Sequence, residues 1–203
     1  MVVTTVIFDF GGVLFDASRR YLFEKVFSDE ARMDFFFDKV CSRATWQIPA
    51  NQGQPICEIT KTLTAQFPAY AAEIDIYDKR WEEVLGEEIG GSVEILTNLH
   101  ERGIPLYGIT DWPEGKFGIA ERRWPQLLEL FNDIAVSSYE KVAKPDPRLY
   151  EILLARNDLK PEQCLFIDDL ARNVHSAEEL GLQGHHFQNP EKLRQDLMRR
   201  ALL

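Results

Sequence analysis

Continuous apolar runs mark the two ends of this chain and are missing from its middle. Thr4 to Phe8 is a β-branched and aromatic run that stops at Asp9 and is followed by a Gly-Gly turn, a pattern that predicts a buried strand. From about Asp16 to Gly90 the character changes: aromatics and charges recur at helical spacing in "RRYLFEKVF", "ARMDFFFDKV", "ICEITKTLTAQF" and "IDIYDKRWEEVL". This stretch predicts about four helices and no strand, with turns at "IPANQGQP" and "FPAY". Beyond "GEEIGG" helices and strands alternate. "SVEILTNLHERG" reads as a helix ended by Gly103, "IPLYGIT" as a strand, and "PEGKFGIAERR" and "PQLLELF" as helical pieces. "DIAVSS" reads as a strand, "DPRLYEILLARN" as a helix, "QCLFIDD" as a strand, "ARNVHSAEELG" as a helix ended by Gly181, and "GHHFQ" as a last short strand. "PEKLRQDLMRRALL" closes the chain as an amphipathic helix. Alternation of this kind predicts an α/β fold, a parallel sheet with right-handed crossovers and helices on both faces. The expected organisation is a core built from residues 1–15 and 91–203, with a helical insert over 16–90.

Composition narrows the function classes. No apolar run approaches the roughly 20 residues of a membrane helix, and the N-terminal "MVVTTVIF" lacks the basic flank and cleavage site of a signal peptide. The formal net charge of -10 repels a phosphate backbone, so nucleic acid is not expected as a partner. The same field repels a small phosphate ester, so a site for one must gather positive charge locally. Cys41, Cys57 and Cys164 lack metal-binding spacing and read as reduced thiols in a cytoplasmic protein.

In open parallel sheets ligands bind beyond the carboxyl ends of the strands. The strand ends here carry Asp9 with Gly11 and Gly12, then Thr110 and Asp111, then Lys144 in the segment after the third strand, then Asp168 and Asp169. If they converge, the carboxylates repel one another and are driven towards protonation unless a cation joins them. Magnesium suits such a set, because it takes hard oxygen ligands and bridges carboxylates to phosphate. Asp9 and Asp168 are the first expected ligands, with a backbone carbonyl near Gly11 as a third. Lys144 offers a point charge and Thr110 a hydroxyl to phosphoryl oxygens. A carboxylate relieved of its proton can then attack phosphorus.

Four segments in order, "VIFDFGGVL", "YGITD", "KPDPRLY" and "CLFIDDLARNV", resemble the motifs of the haloacid dehalogenase-like hydrolase superfamily. The likeness spans nearly the whole chain, since the helical insert lies where that family places its cap. Within the family the sequence resembles phosphatases with Gly-rich nucleophile loops, such as the bacterial α-glucose-1-phosphate phosphatases. The resemblance implies a three-layer Rossmann-like core with a helical cap inserted after the first strand. It implies Asp9 as nucleophile and metal ligand, Gly11 as a carbonyl ligand, and Thr110 and Lys144 as holders of the phosphoryl group. Asp168 is then a direct ligand and Asp169 a ligand directly or through water, with Asn173 orienting the acidic loop and Mg2+ as cofactor. The substrate it implies is a small phosphorylated metabolite, such as a sugar phosphate.

Two positions depart from the family pattern. Most phosphatases of the family carry a second Asp two residues after the nucleophile, as general acid, and that place is Gly11 here. Asp111 stands where the subgroup commonly has Asn, so its charge either repels phosphate or is turned away. Trp112 is placed to shape the substrate pocket, while Trp46, Trp81 and Trp124 read as packing residues. Arg19, Arg20 and the insert residues near Trp46 and Gln47 are expected to face substrate, and His185 and His186 read as packing or surface groups. Two alternatives remain open: a metal-free 2-haloacid dehalogenase using Asp9 on carbon, and a catalytically weak member of the family that binds phosphate.

Overall fold

A computed structural model describes residues 2–203. Its main sheet has five strands in the order β5-β4-β1-β6-β7, all parallel: β1 Thr5–Phe8, β4 Leu106–Thr110, β5 Asp133–Val136, β6 Cys164–Asp168 and β7 Gln183–His186. Every residue of β1, β4 and β6 is buried, the signature of strands covered on both faces. Alternate residues enter opposite layers. Val6, Phe8, Leu106, Leu165 and Ile167 join one apolar cluster with Leu96, Leu99 and Leu193. Ile7, Ile109 and Phe166 join the other with Leu149, Tyr150, Leu153 and Ala177. The flanking helices are Gly90–Glu101, Pro147–Arg156, Ala171–Glu179 and Pro190–Arg199. Gly103 and Gly181, both at positive φ, follow the helices they were expected to end.

Residues between β1 and β4 are mainly helical, with longer helices at Ile56–Gln66 and Ala71–Lys79 and shorter turns at Glu30–Phe35, Phe36–Val40, Arg43–Gln47 and Ile48–Asn51. A reciprocal cap starts Arg43–Gln47: Ser42 Oγ accepts from Thr45 N at 3.2 Å, and Thr45 Oγ1 accepts from Ser42 N at 2.9 Å. The expectation of no strand here is corrected. Phe15–Ala17 (β2) pairs antiparallel with Leu85–Glu88 (β3) where the chain enters and leaves the helical stretch. Strands of three and four residues, one reading "LGEE", carry too few β-branched or aromatic positions to announce themselves. Phe15 stacks on Trp124 with ring centroids 3.8 Å apart. Apolar residues of the helical stretch, Phe23, Phe36, Trp46 and Leu63 among them, belong to the same cluster as one face of the sheet.

Candidate active site

The carboxyl ends of β4, β1 and β6 lie side by side, with the order of strands reversing direction at β1. Asp9 is tied to its neighbour strand by its own backbone N–H, which donates to Ile167 O at 2.9 Å. Its Oδ1 accepts from Phe10 N at 2.6 Å and lies 2.8 Å from Lys144 Nζ. Lys144 Nζ also donates to Asp168 Oδ2 at 2.7 Å and to Ile109 O at 3.2 Å. One ammonium therefore joins the ends of three strands, placed by a loop whose Lys144-Pro145 peptide is cis. Asp168 is fully buried and held by several donors: Leu170 N reaches Oδ1 at 2.8 Å, and Asn173 Nδ2 reaches both oxygens at 3.0 Å. Asn173, expected to orient the acidic loop, is itself buried and donates to both Asp168 oxygens.

The electrostatics are unbalanced. Burial pushes the Asp9 carboxyl well above its ordinary range; Lys144 opposes this, and Asp168 and Asp169 add to it. Asp169 is raised by burial and by Asp168, against Lys144. Lys144 is held charged, since Asp168, Asp9 and Asp111 together outweigh the cost of its burial. Four carboxylates, Asp9, Asp111, Asp168 and Asp169, surround one ammonium. Asp9, Asp168 and Asp169 each present an oxygen within 4.8 Å of the others. This set of hard donors with surplus negative charge fits a divalent cation of the magnesium type. Gly12 makes the cluster possible: it sits at φ +77°, and a Cβ there would lie 2.8 Å from Asp169 Oδ2. Gly11 differs, because a Cβ on it would meet nothing within 4 Å.

A cavity of about 430 Å³ opens over Asp9, Gly11, Asp111, Lys144 and Asp169. Arg43, Gln47 and Asn51, each four residues from the next, face it from the helical stretch, and Arg172 from the start of the helix Ala171–Glu179 that follows β6. A smaller pocket of about 170 Å³ adjoins it, with Arg19, Trp46, Tyr77 and Trp81 among its walls. Ala17, Gln47, Asn51 and Asp111 line both. A wider groove of about 1150 Å³ lies elsewhere, between Lys25, Arg80, Glu83 and Arg123. Its charges pair among themselves, Lys25 with Glu83 at 2.9 Å and Arg80 with Glu83 at 2.6 Å.

Most residues singled out in the sequence meet here. Thr110 is buried, and its hydroxyl has no hydrogen-bond partner. Asp111 Oδ1 accepts from Lys144 N at 3.0 Å, so it is drawn into the site and not turned away. Two expectations are corrected. The Trp112 ring is only 4% exposed, packed against Trp81 and Phe117, and lines neither cavity. Arg20 lines neither of the two site cavities and pairs with Glu24, Glu30 and Asp34. Arg43, Asn51 and Arg172 were not singled out. For Arg43 and Asn51 the signal was their four-residue spacing from Gln47; Arg172 carried none.

The model of the haloacid dehalogenase-like hydrolases matches residues 3–181. The chain belongs to that family. It is 41% identical over 109 residues to flavin mononucleotide hydrolase 1 of Arabidopsis thaliana, covering 54% of this chain and 44% of that protein. It is 23% identical over 210 residues to D-ribitol-5-phosphate phosphatase of Bacteroides thetaiotaomicron, covering 97% of each. The fold is shared with a family enzyme of Bacteroides thetaiotaomicron in its magnesium complex, at TM-score 0.73 and 18% identity over 93% of this chain and 95% of that one. In several curated relatives the chain spans less than half of the relative's length. Among the described residues no helix is long and apolar enough to cross a membrane.

Proposed function

We propose that this hydrolase cleaves small phosphate monoesters with Mg2+, through an aspartyl phosphate formed on Asp9. The observation that carries the reading is the Lys144 ammonium set 2.8 Å from Asp9 and 2.7 Å from Asp168, with Asp169 in the same carboxylate cluster. In the proposed reaction a phosphoryl group enters the cavity over Asp9 and Lys144, with its oxygens facing Lys144 and the unpartnered Thr110 hydroxyl. Asp9 attacks phosphorus in line with the departing oxygen, and water then cleaves the acyl phosphate. Asp9, Asp168, Asp169 and the Gly11 carbonyl would hold the cation. Its charge would offset the crowding of carboxylates and that of the phosphoryl oxygens. Residues 16–90 act as a cap, bringing Arg43, Gln47 and Asn51 to face the strand ends and exclude water.

Relatives named as phosphatases of phosphorylated carbohydrates and of ribitol phosphate support a small phosphorylated substrate. A metal-free dehalogenase would leave Asp169 and its raised pKa without use. The test is phosphate release across a panel of sugar, polyol and aryl phosphates. Wild type with magnesium is expected to be active, and EDTA to abolish the activity. Asp9→Asn is expected to lose at least about 10³-fold, as loss of a nucleophile does. Retained activity in Asp9→Asn, or activity on 2-chloropropionate that survives EDTA, would overturn the proposal.

A further inference from the structure

An alkoxide is a poor leaving group, and phosphatases meet the difficulty by giving it a proton. Gly11 offers no side chain for this, and the space where its Cβ would stand is open. The donor must lie where the ester oxygen passes from the phosphoryl cavity towards the pocket for the organic group. Four residues line both: Ala17, Gln47, Asn51 and Asp111. Asp111 is the only ionisable one.

We propose that Asp111 protonates the leaving-group oxygen, in place of the acid missing at position 11. This rests on the phosphatase reading above. The other ionisable groups of the two cavities are committed or unsuited. Asp9 is the nucleophile, and Asp169 is needed by the cation. Lys144 is locked between two carboxylates. Tyr77 is buried, with its phenol pushed far up by burial. Arg19, Arg43 and Arg172 do not give up protons.

Asp111 is also built for the task. The Lys144 backbone N–H fixes Oδ1 at 3.0 Å and is the only hydrogen bond to this carboxyl among the described residues, so Oδ2 is free to carry the proton. Burial raises the carboxyl above its ordinary range, and Asp168 adds to this, against the Lys144 charge, its N–H and Arg43. The strand holds the position firmly, since Asp111 directly follows Thr110 at the end of β4.

The proton balance closes over one turnover. As an Asp9 oxygen bonds to phosphorus, the bond from phosphorus to the ester oxygen breaks. That oxygen takes the Oδ2 proton and leaves as the alcohol, with Asp111 now a carboxylate. In the second half Asp111 takes a proton from water while the water oxygen bonds to phosphorus. The bond from phosphorus to Asp9 breaks, inorganic phosphate leaves, and both Asp9 and Asp111 return to their starting forms.

The test is the dependence of kcat/KM on the leaving group, from p-nitrophenyl phosphate to alkyl and polyol phosphates, with magnesium. Asp111→Asn keeps an acceptor for Lys144 N and removes the acid. It is expected to lose about 10²–10⁴-fold on alkyl esters. On p-nitrophenyl phosphate, whose leaving group needs no proton, the loss is expected to stay under about tenfold. An equal loss on every ester, or none, overturns the role of Asp111. A second readout needs no variant: wild-type kcat/KM for an alkyl ester should show a normal solvent deuterium isotope effect that vanishes with p-nitrophenyl phosphate. Its absence from the alkyl ester also overturns the proposal. A wild type inert on every ester instead overturns the phosphatase reading itself, and this role with it.

Discussion

Residue identities decide the site at two adjacent glycines that do different work. Gly12 is constrained twice, by a backbone at φ +77° that L side chains rarely adopt and by Asp169, whose carboxylate fills the place of a Cβ. Gly12→Ala is expected to cost about 1–2 kcal/mol of stability from the backbone alone. It should also push Asp169 out of the cluster and weaken magnesium binding. Calorimetric titration with magnesium beside a thermal melt checks both, and unchanged affinity would show that Asp169 is not a ligand. Gly11 has no such constraint, so its glycine reflects the absence of an acid and not a need for space. Much of this site was legible, because Asp9, Thr110 and Asp168 each stand at or just past a strand end that hydrophobic patterning located, and Lys144 follows β5 after one short helical turn, Ser137–Glu140. Trp112 misled because proximity in sequence to Thr110 does not set side-chain direction. The residue after a strand end turned its ring into the apolar core, where burial of a large indole outweighs exposure to the cavity.

Among the strands, legibility followed burial: β1 and β3 both have four residues, but only β1 is buried throughout. The fully buried apolar strands β1, β4 and β6 and the longer helices Gly90–Glu101 and Pro147–Arg156 were readable because their pattern extends over whole elements. The β2–β3 pair was not, since its stability comes from tertiary contacts such as the Phe15–Trp124 stack and not from local propensity. The helical stretch was readable as helical but not as separate pieces. Phe36–Val40 and Arg43–Gln47 are wider five-residue turns, and Ser42 restarts the chain between them through its reciprocal cap with Thr45. That restart turns Arg43 and Gln47 towards the strand ends. The cavity walls contributed by the insert were therefore largely hidden in the sequence.

At the scale of the whole molecule, the site sets a load on folding that depends on pH and cation. Asp9, Asp111 and Asp169 all have carboxyls raised in the folded chain. A raised carboxyl binds a proton more tightly folded than unfolded, so its contribution to stability is present in full below the ordinary range near about 4. It is lost as pH rises through the folded values. The metal-free protein should therefore lose stability from this cluster as pH rises. Magnesium competes with the same protons, so the rise in Tm it gives should be larger at pH 8 than at pH 5. Melts with magnesium or EDTA across that range check this. A magnesium shift that is constant or shrinks with pH would mean the carboxylate cluster does not hold the ion.

The central claim is that Asp9 becomes covalently phosphorylated during turnover. Wild-type protein mixed with p-nitrophenyl phosphate and magnesium, quenched in acid within one turnover and digested, can be read by peptide mass spectrometry. The expected result is a phosphoryl adduct on Asp9 that is lost on hydroxylamine treatment and is absent when EDTA is present. Phosphate release with no adduct, or an adduct on any other residue, would contradict it.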